Sequence, residues 1–507
     1  MSSSDSVDAF DHPTLSNRGR ALLAWMREHP SAPRFTGTTG SRLCADDLGK
    51  VQARTEVVLS ASLPNASEPL WLHEFVDRSL SVVPFFRRYQ LAPGIPFRAI
   101  PTTSRKDLST DVAQFVPDDV DASQLITYVT SGTTGHPLSV PSHPRVAAEY
   151  LAYHRRALRR LGMDLRAGSS VPSEDAPWLA PSPVDSSSVV RSASDSASLD
   201  SASLDPGSRG HGSGVQGSAE LPAVGVVLLG FQRECFTYTS VVPMQGEVGL
   251  VKLNLHPSDW RCEADRAAYL EALNSEVIAG DPISFAELLR IAPNCKPRVL
   301  FSTSMTLLPG LRAELETEFG CPVLDFYSMN EAGPIAVFDA AAGGHVLLQP
   351  ELHVELLDSS GAPVASGERG EITLTGGFNF CLPLLRYRTG DFASMRSYVR
   401  PDGASVERVL VGLVGREPVR FCTSNGEWIN NVDILHAFNP LTLSQFCVYQ
   451  SADASLTLSV QGSSRNVLQA QELLRALMGT RTVTLSTIDP AAEKVKQFTS
   501  DFPGAVS

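Results

Sequence analysis

The chain lacks any paired-cysteine signature: Cys44, Cys235, Cys262, Cys295, Cys321, Cys381, Cys422 and Cys447 are scattered, and no two form a C-x-x-C pair. That argues against a zinc ribbon or a disulfide framework and points to a reducing compartment. Positive charge is also short, with 42 Lys and Arg against 55 Asp and Glu, a net charge of -13. A general nucleic-acid binder would carry a basic surface, as would a protein held on an anionic membrane. No apolar run approaches the ~20 residues that span a bilayer. The N-terminus, Met-Ser-Ser-Ser-Asp-Ser-Val-Asp, is acidic and polar where a signal peptide is basic and then apolar. The expectation is a cytoplasmic protein with neither nucleic acid nor membrane as partner. At 507 residues the chain has room for roughly two to four domains and a large core.

What the chain does have is a β-prone run that empties into a small, hydroxyl-rich loop: Leu125-Ile-Thr-Tyr-Val-Thr-Ser-Gly-Thr-Thr-Gly-His-Pro137. Ile126, Tyr128 and Val129 favour a pleated segment. Gly132 and Gly135 let the backbone turn and bring its N–H groups close to an anion, and Thr130, Ser131, Thr133 and Thr134 add side-chain donors. The same residues also suit a plain polar turn after a strand. It is not a Walker A loop, because only two residues separate the glycines and His136 follows instead of Gly-Lys.

Residues 1–90 read as a helical N-terminal region, with Trp71, Leu72, Phe75, Val76, Leu80 and Val83 at helical spacing. Residues 91–414 read as an α/β body. Within it, Val146 to Leu161 form an amphipathic helix whose arginines are expected on a solvated face. From about 167 to 221 Ser, Asp, Gly and Pro dominate, a composition that cannot bury enough apolar surface to order itself, so a disordered insertion is expected. Strand patterns at Val224–Gly230, Val299–Ser302 and Val323–Tyr327 alternate with helical ones, and strands in series follow. Residues 415–507 read as a small, mobile α+β lid domain. The fold class is α/β: a large N-terminal body with a β-rich flank, plus the small C-terminal α+β unit.

Three further stretches bear on the loop. Phe326-Tyr-Ser-Met-Asn-Glu-Ala-Gly333 offers an aromatic ring, Tyr327, able to stack on a purine, and a carboxylate, Glu331, able to hold Mg²⁺ beside phosphates. Leu385-Arg-Tyr-Arg-Thr-Gly-Asp391 puts Asp391 where it can accept from a ribose diol. Val414-Gly-Arg416 supplies a cation before the small unit. Taken singly, these are equally a core ring, a turn residue and a surface charge.

In their order they resemble the adenylate-forming superfamily of acyl-CoA synthetases, peptide-synthetase adenylation domains and luciferases. Thr130 to Pro137 is similar to that family's phosphate loop, Tyr327-Ser-Met-Asn-Glu331 to its Tyr-Gly-x-Thr-Glu motif, Tyr387-Arg-Thr-Gly-Asp391 to its ribose motif, and Gly415-Arg416 to the start of its hinge. Ile100-Pro-Thr-Thr-Ser-Arg-Lys-Asp-Leu108 resembles the phenylacetate-CoA ligase-like branch. The resemblance implies ATP, Mg²⁺ and coenzyme A as cofactors and a small or aromatic carboxylic acid as substrate. The acid would attack the α-phosphorus of ATP to give an acyl-adenylate, and a thiol would then displace AMP. It implies Glu331 on the metal, Tyr327 on adenine, Asp391 on ribose, Arg416 orienting ribose and phosphates, and a catalytic lysine within Glu493-Lys-Val-Lys-Gln497, with Lys494 first and Lys496 as competitor.

The chain departs from that pattern in places. Asn330 stands where a threonine or serine contacts phosphate, and Leu138 where the loop could carry a lysine. The hinge aspartate is missing from Gly415-Arg-Glu-Pro418, and proline stiffens its place. Transfer to an amine or carrier, activation of an unusual acid such as nitrite, and a lapsed nucleotide-binding protein are therefore the competing expectations. Phe231, Phe236 and Tyr238 are candidates for an aromatic acid pocket, or for core.

Overall fold

The computed structural model describes residues 11–34, 36–63, 68–129, 138–164, 224–231, 236–400, 406–415, 419–479, 482–488, 495–503 and 505, with Val129, Asn430 and Val432 described by backbone alone. The phosphate-loop candidates Thr130 to Gly135, the hinge residues Arg416 to Pro418, Lys494 and the 167–221 insertion lie outside them.

Five strands lie parallel, in the order Val248–Asn254, Val224–Gly230, Val277–Gly280, Val299–Ser302 and Val323–Met329. A parallel sheet covered on both faces reads as short continuous apolar runs, and Val299–Ser302 is buried at every position. The helices Pro282–Ile291 and Pro309–Phe319 make the crossovers on either side of that strand. The first is capped by Asp281, whose carboxylate accepts from Ser284 N at 2.9 Å, with proline at its start. Asn17–Glu28 lays Leu22, Leu23 and Met26 into the same core.

From Val323–Met329 the sheet turns antiparallel, through Gly333–Asp339, Gly344–Leu347, Val406–Val414, Leu384–Val399, Arg369–Gly376 and Leu352–Leu357. The short strand Thr103–Ser104 joins this flank, Thr103 beside Tyr387. There Ser104 and Asp107 cap the helix Arg105–Thr110, Asp107 accepting from Ser104 N at 2.8 Å.

The helix Pro144–Arg159 corrects one expectation. Two of the arginines are tied inward: Arg156 donates to Ala61 O at 2.8 Å, and Arg160, just past the end, pairs with Glu407 at 2.6 Å and with Asp339, whereas Arg155 and the exposed Arg159 pair with the nearby Asp164. The partners of Arg156 and Arg160 come from distant chain segments, which helical periodicity does not reveal.

The C-terminal unit is a four-stranded sheet ordered Val483–Thr487, Leu456–Gly462, Leu443–Gln450, Phe498–Ser500, with the helices Asn431–Phe438 and Ser464–Met478. It docks on the body, since Leu308 belongs to its core cluster and Gly310 N donates to Asn439 O at 2.8 Å. A Cβ at Gly310 would lie 2.5 Å from the Leu441 carbonyl, so glycine permits the approach.

Candidate active site

A cavity of about 300 Å³ opens where Val299–Ser302 and Val323–Met329 end, and Asn431 and the segment from Val495 to Phe498 of the C-terminal unit close its other side. The carboxyl ends of parallel strands are the usual ligand position in open α/β sheets, because the backbones splay there and loops of different origin converge. Ser304, Asp325, Tyr327, His345, Asp391 and Lys496 are among the lining residues.

Two bulges aim the central pair. Pairing between Val323–Met329 and Gly333–Asp339 slips at Tyr327/Ser328. On the strand bearing Asp391, Arg388 faces Thr373 and Phe392 faces Glu371, so extra residues, Thr389 to Asp391, loop out. Gly390 takes φ 79, open to glycine at little cost. Thr389 Oγ1 donates to Ile372 O at 2.8 Å and accepts from Asp391 N at 3.0 Å, and Gly390 N donates to Glu371 at 2.9 Å. The Thr-Gly-Asp order is thus a local scaffold that presents one carboxylate.

Tyr327 Oη donates to Asp391 Oδ2 at 2.8 Å. Burial, and then Asp391, push its hydroxyl well above the ordinary tyrosine range, so it stays a donor. Glu331, 2% exposed, receives Tyr387 Oη at 2.8 Å and Arg105 at 3.2 Å, both on Oε1. The Tyr387 hydroxyl is also held well above its usual range, by burial and then by Glu331. Each carboxylate acts on both tyrosines, so the structure brings Tyr327, Glu331 and Asp391 together. Glu331 and Asn330 do not line the cavity itself, and Asn330 is exposed at the turn. Lys496 is an exposed cation at its C-terminal side. Phe231 sits in the parallel-strand core and Phe236 is 65% exposed beside Tyr238, and none of the three lines the cavity.

Sequence reasoning missed several residues. Asp325 is two positions before Tyr327, and that strand spacing puts it on the same face. It lies 3.6 Å from His345 Nε2 across the cavity wall. Arg105 and Tyr387 sat inside quoted motifs without a role. Arg386, 3% exposed and at φ 44, meets Glu355 through two contacts at 3.2 Å and donates to Arg98 O and Ile100 O. It thereby ties the segment leading to Arg105 against the strand carrying Tyr387.

Among solved structures, a 2-hydroxyisobutyryl-CoA ligase in the postadenylation state, in complex with R3-HIB-AMP, superposes with a TM-score of 0.57 at 15% identity, covering 89% of this chain and 90% of that one. The chain has the fold of the adenylate-forming superfamily. Phenylacetate-coenzyme A ligase of Escherichia coli (strain K12) is 27% identical over 132 residues, 24% of this chain, a phenylacetate-CoA ligase-like relationship. A chalcone synthase of Aspergillus candidus is 30% identical over 174 residues, 28% of this chain. The chain spans only 30% and 6% of those two relatives' lengths. No family model matches. The cavity between the body and the C-terminal unit, where Tyr327, Asp391 and Lys496 meet, is the candidate active site. Among the described residues no cluster of three or more His, Cys, Asp or Glu could hold a metal, and no helix is long and apolar enough to cross a membrane.

Proposed function

We propose that the protein is an AMP-forming ligase that activates a small or aromatic carboxylic acid with ATP and passes it to coenzyme A. The observation that carries this reading is the convergence of Tyr327, Asp391 and Lys496, from three distant segments, on one cavity at the carboxyl ends of parallel strands. One acid oxygen attacks the α-phosphorus as the bond to pyrophosphate breaks. The coenzyme A thiol then attacks the acyl carbonyl, loses its proton, and AMP leaves. Asp391 accepts from the ribose diol, Tyr327 fixes that carboxylate and lies along the base, and Thr130 to Gly135 supply donors to the phosphates. Arg416 orients ribose and phosphate, and Lys494 or Lys496 meets the charge that grows at the α-phosphate.

Glu331 suits a magnesium ion, because both of its contacts fall on Oε1 and leave Oε2 without a partner among the described residues. Magnesium is commonly held by one or two carboxylates plus substrate phosphates. When bound, the ion supplies neutralisation at the phosphates. Arg105 shares Glu331 and adds a guanidinium at the same corner.

The test is acid-dependent exchange of pyrophosphate into ATP across a panel of small aliphatic, hydroxylated and aromatic acids. Exchange with at least one acid is expected, and none with any acid sinks the reading. The altered hinge, Gly415-Arg-Glu-Pro418, favours a second reading in which adenylation persists and an amine or carrier takes the acyl group. Product analysis with and without coenzyme A separates the two.

A further inference from the structure

One polar group in the cavity has nothing to bond. Asn431, the first residue of the helix Asn431–Phe438, is 1% exposed and lines the cavity, and its amide oxygen is buried without a hydrogen-bond partner among the described residues. Leaving such an acceptor unpaired costs about 1–3 kcal/mol, so nearly all buried polar atoms have partners. Asn431 is the first helical residue, one past the capping position, so its side chain does not serve as the helix cap and its oxygen is left unpaired. The residue is nonetheless held firmly, because Asn431 N donates to Val419 O at 3.0 Å. Val419 follows closely on Gly415, where an added Cβ would sit 3.4 Å from Asp391 Oδ1. Asn431, Val419, Gly415 and Asp391 all line this one cavity.

We propose that Asn431 is a ligand-contacting residue of the C-terminal unit, its amide oxygen accepting a hydrogen bond from the nucleoside part of the nucleotide. The inference rests on the nucleotide reading above. A nucleoside offers two kinds of donor, the exocyclic amine of adenine and the ribose hydroxyls; each hydroxyl has one proton, so a ribose donor meets Asn431 only where Asp391 takes the other hydroxyl. The body fixes Asp391 before any ligand arrives, whereas Asn431 gains its partner only with the ligand. Nucleotide binding then helps to hold the C-terminal unit on the body.

The experiment is calorimetric titration of the full chain with AMP, 2′-deoxy-AMP, 3′-deoxy-AMP and the 6-deamino purine nucleotide, for wild type and Asn431→Ala. Wild type is expected to bind about tenfold more weakly when the donor that meets Asn431 is removed. Asn431→Ala is expected to bind AMP about tenfold more weakly and to lose nothing further on removal of that same donor. The penalty that vanishes names the donor. If Asn431→Ala does not fold, Asn431→Ser, whose hydroxyl is tolerated at a helix start but is shorter, carries the same comparison. If wild type binds AMP and all three penalties persist unchanged in the variant, the inference is wrong and the nucleotide site stands. If wild type binds no AMP, the nucleotide reading falls and this inference falls with it.

Discussion

The two sides of the cavity are built differently. On the body side the described groups are already paired: Tyr327 with Asp391, Tyr387 and Arg105 with Glu331, and Thr389 with the Ile372 carbonyl of the neighbouring strand. On the C-terminal side Lys496 is exposed and the Asn431 amide oxygen is unpaired. Groups fixed in advance cost no reorganisation when charge develops. Groups left open gain their partners only when substrate is present. On the proposed reading, that difference makes the body the binding platform and the C-terminal unit the part that acts on what is bound.

The sharpest break of that comparison is the lysine. Lys494→Ala is expected to lower pyrophosphate exchange by about 100-fold or more while AMP affinity stays within about threefold. A loss that instead follows Lys496→Ala would move the role to the lysine seen at the cavity, and an unchanged rate in both variants would remove the C-terminal side from chemistry altogether. The converse test is on the body. Asp391→Ala removes a charged acceptor that Tyr327 holds ready, and AMP should bind about 10- to 100-fold more weakly. Equal AMP binding by this variant in titration would show that the ribose lies elsewhere.

Docking itself is the third lever. Gly310→Val places side-chain carbon where the Leu441 carbonyl lies 2.5 Å from a Cβ, so the C-terminal unit must shift off the body. Exchange should fall about tenfold, with AMP affinity changed less, since the body platform is untouched. Exchange at the wild-type rate would mean that this docked arrangement is not the one that adenylates.

How far these sides were legible in the sequence follows from what each depends on. Parallel strands announce themselves as short β-branched runs, and Thr389-Gly390-Asp391 is a local device whose bulge needs only its own residues and the neighbouring strand. Strand order was not legible: nothing in Val224–Gly230 says that it lies between Val248–Asn254 and Val277–Gly280. The grip of Tyr387 on Glu331 spans 56 residues and that of Arg105 spans 226, so neither appears as a spacing. Arg156 and Arg160 failed for the same reason, their acceptors being supplied by other segments. Asn431 could not be found as an unsatisfied group until the strand pairs and the helix start were fixed in space.

The smallest effect on activity, and the one that isolates what pre-tying does for a buried carboxylate, belongs to Glu149. It is 6% exposed, comparable to Glu331, yet its one ion-pair contact among the described residues is Arg145 Nε at 3.5 Å. Burial raises its carboxyl to about 7, outweighing the opposing pull of Arg54 and Arg145. A pKa raised in the folded state means that the native protein holds this proton more tightly than the unfolded chain. The stabilisation is complete below the ordinary carboxyl value and is lost as pH rises through about 7. Between those values the contribution falls by about 2–3 kcal/mol. Glu149→Gln carries no titrating proton there, so its unfolding midpoint should exceed that of wild type at pH 8 and converge with it near pH 5. Pyrophosphate exchange should stay within about twofold, because Glu149 does not line the cavity. Thermal unfolding at the two pH values decides it: equal gaps at both would show that the Glu149 carboxyl titrates no differently in the folded protein, and that Arg54 and Arg145 tie it as effectively as Tyr387 and Arg105 tie Glu331.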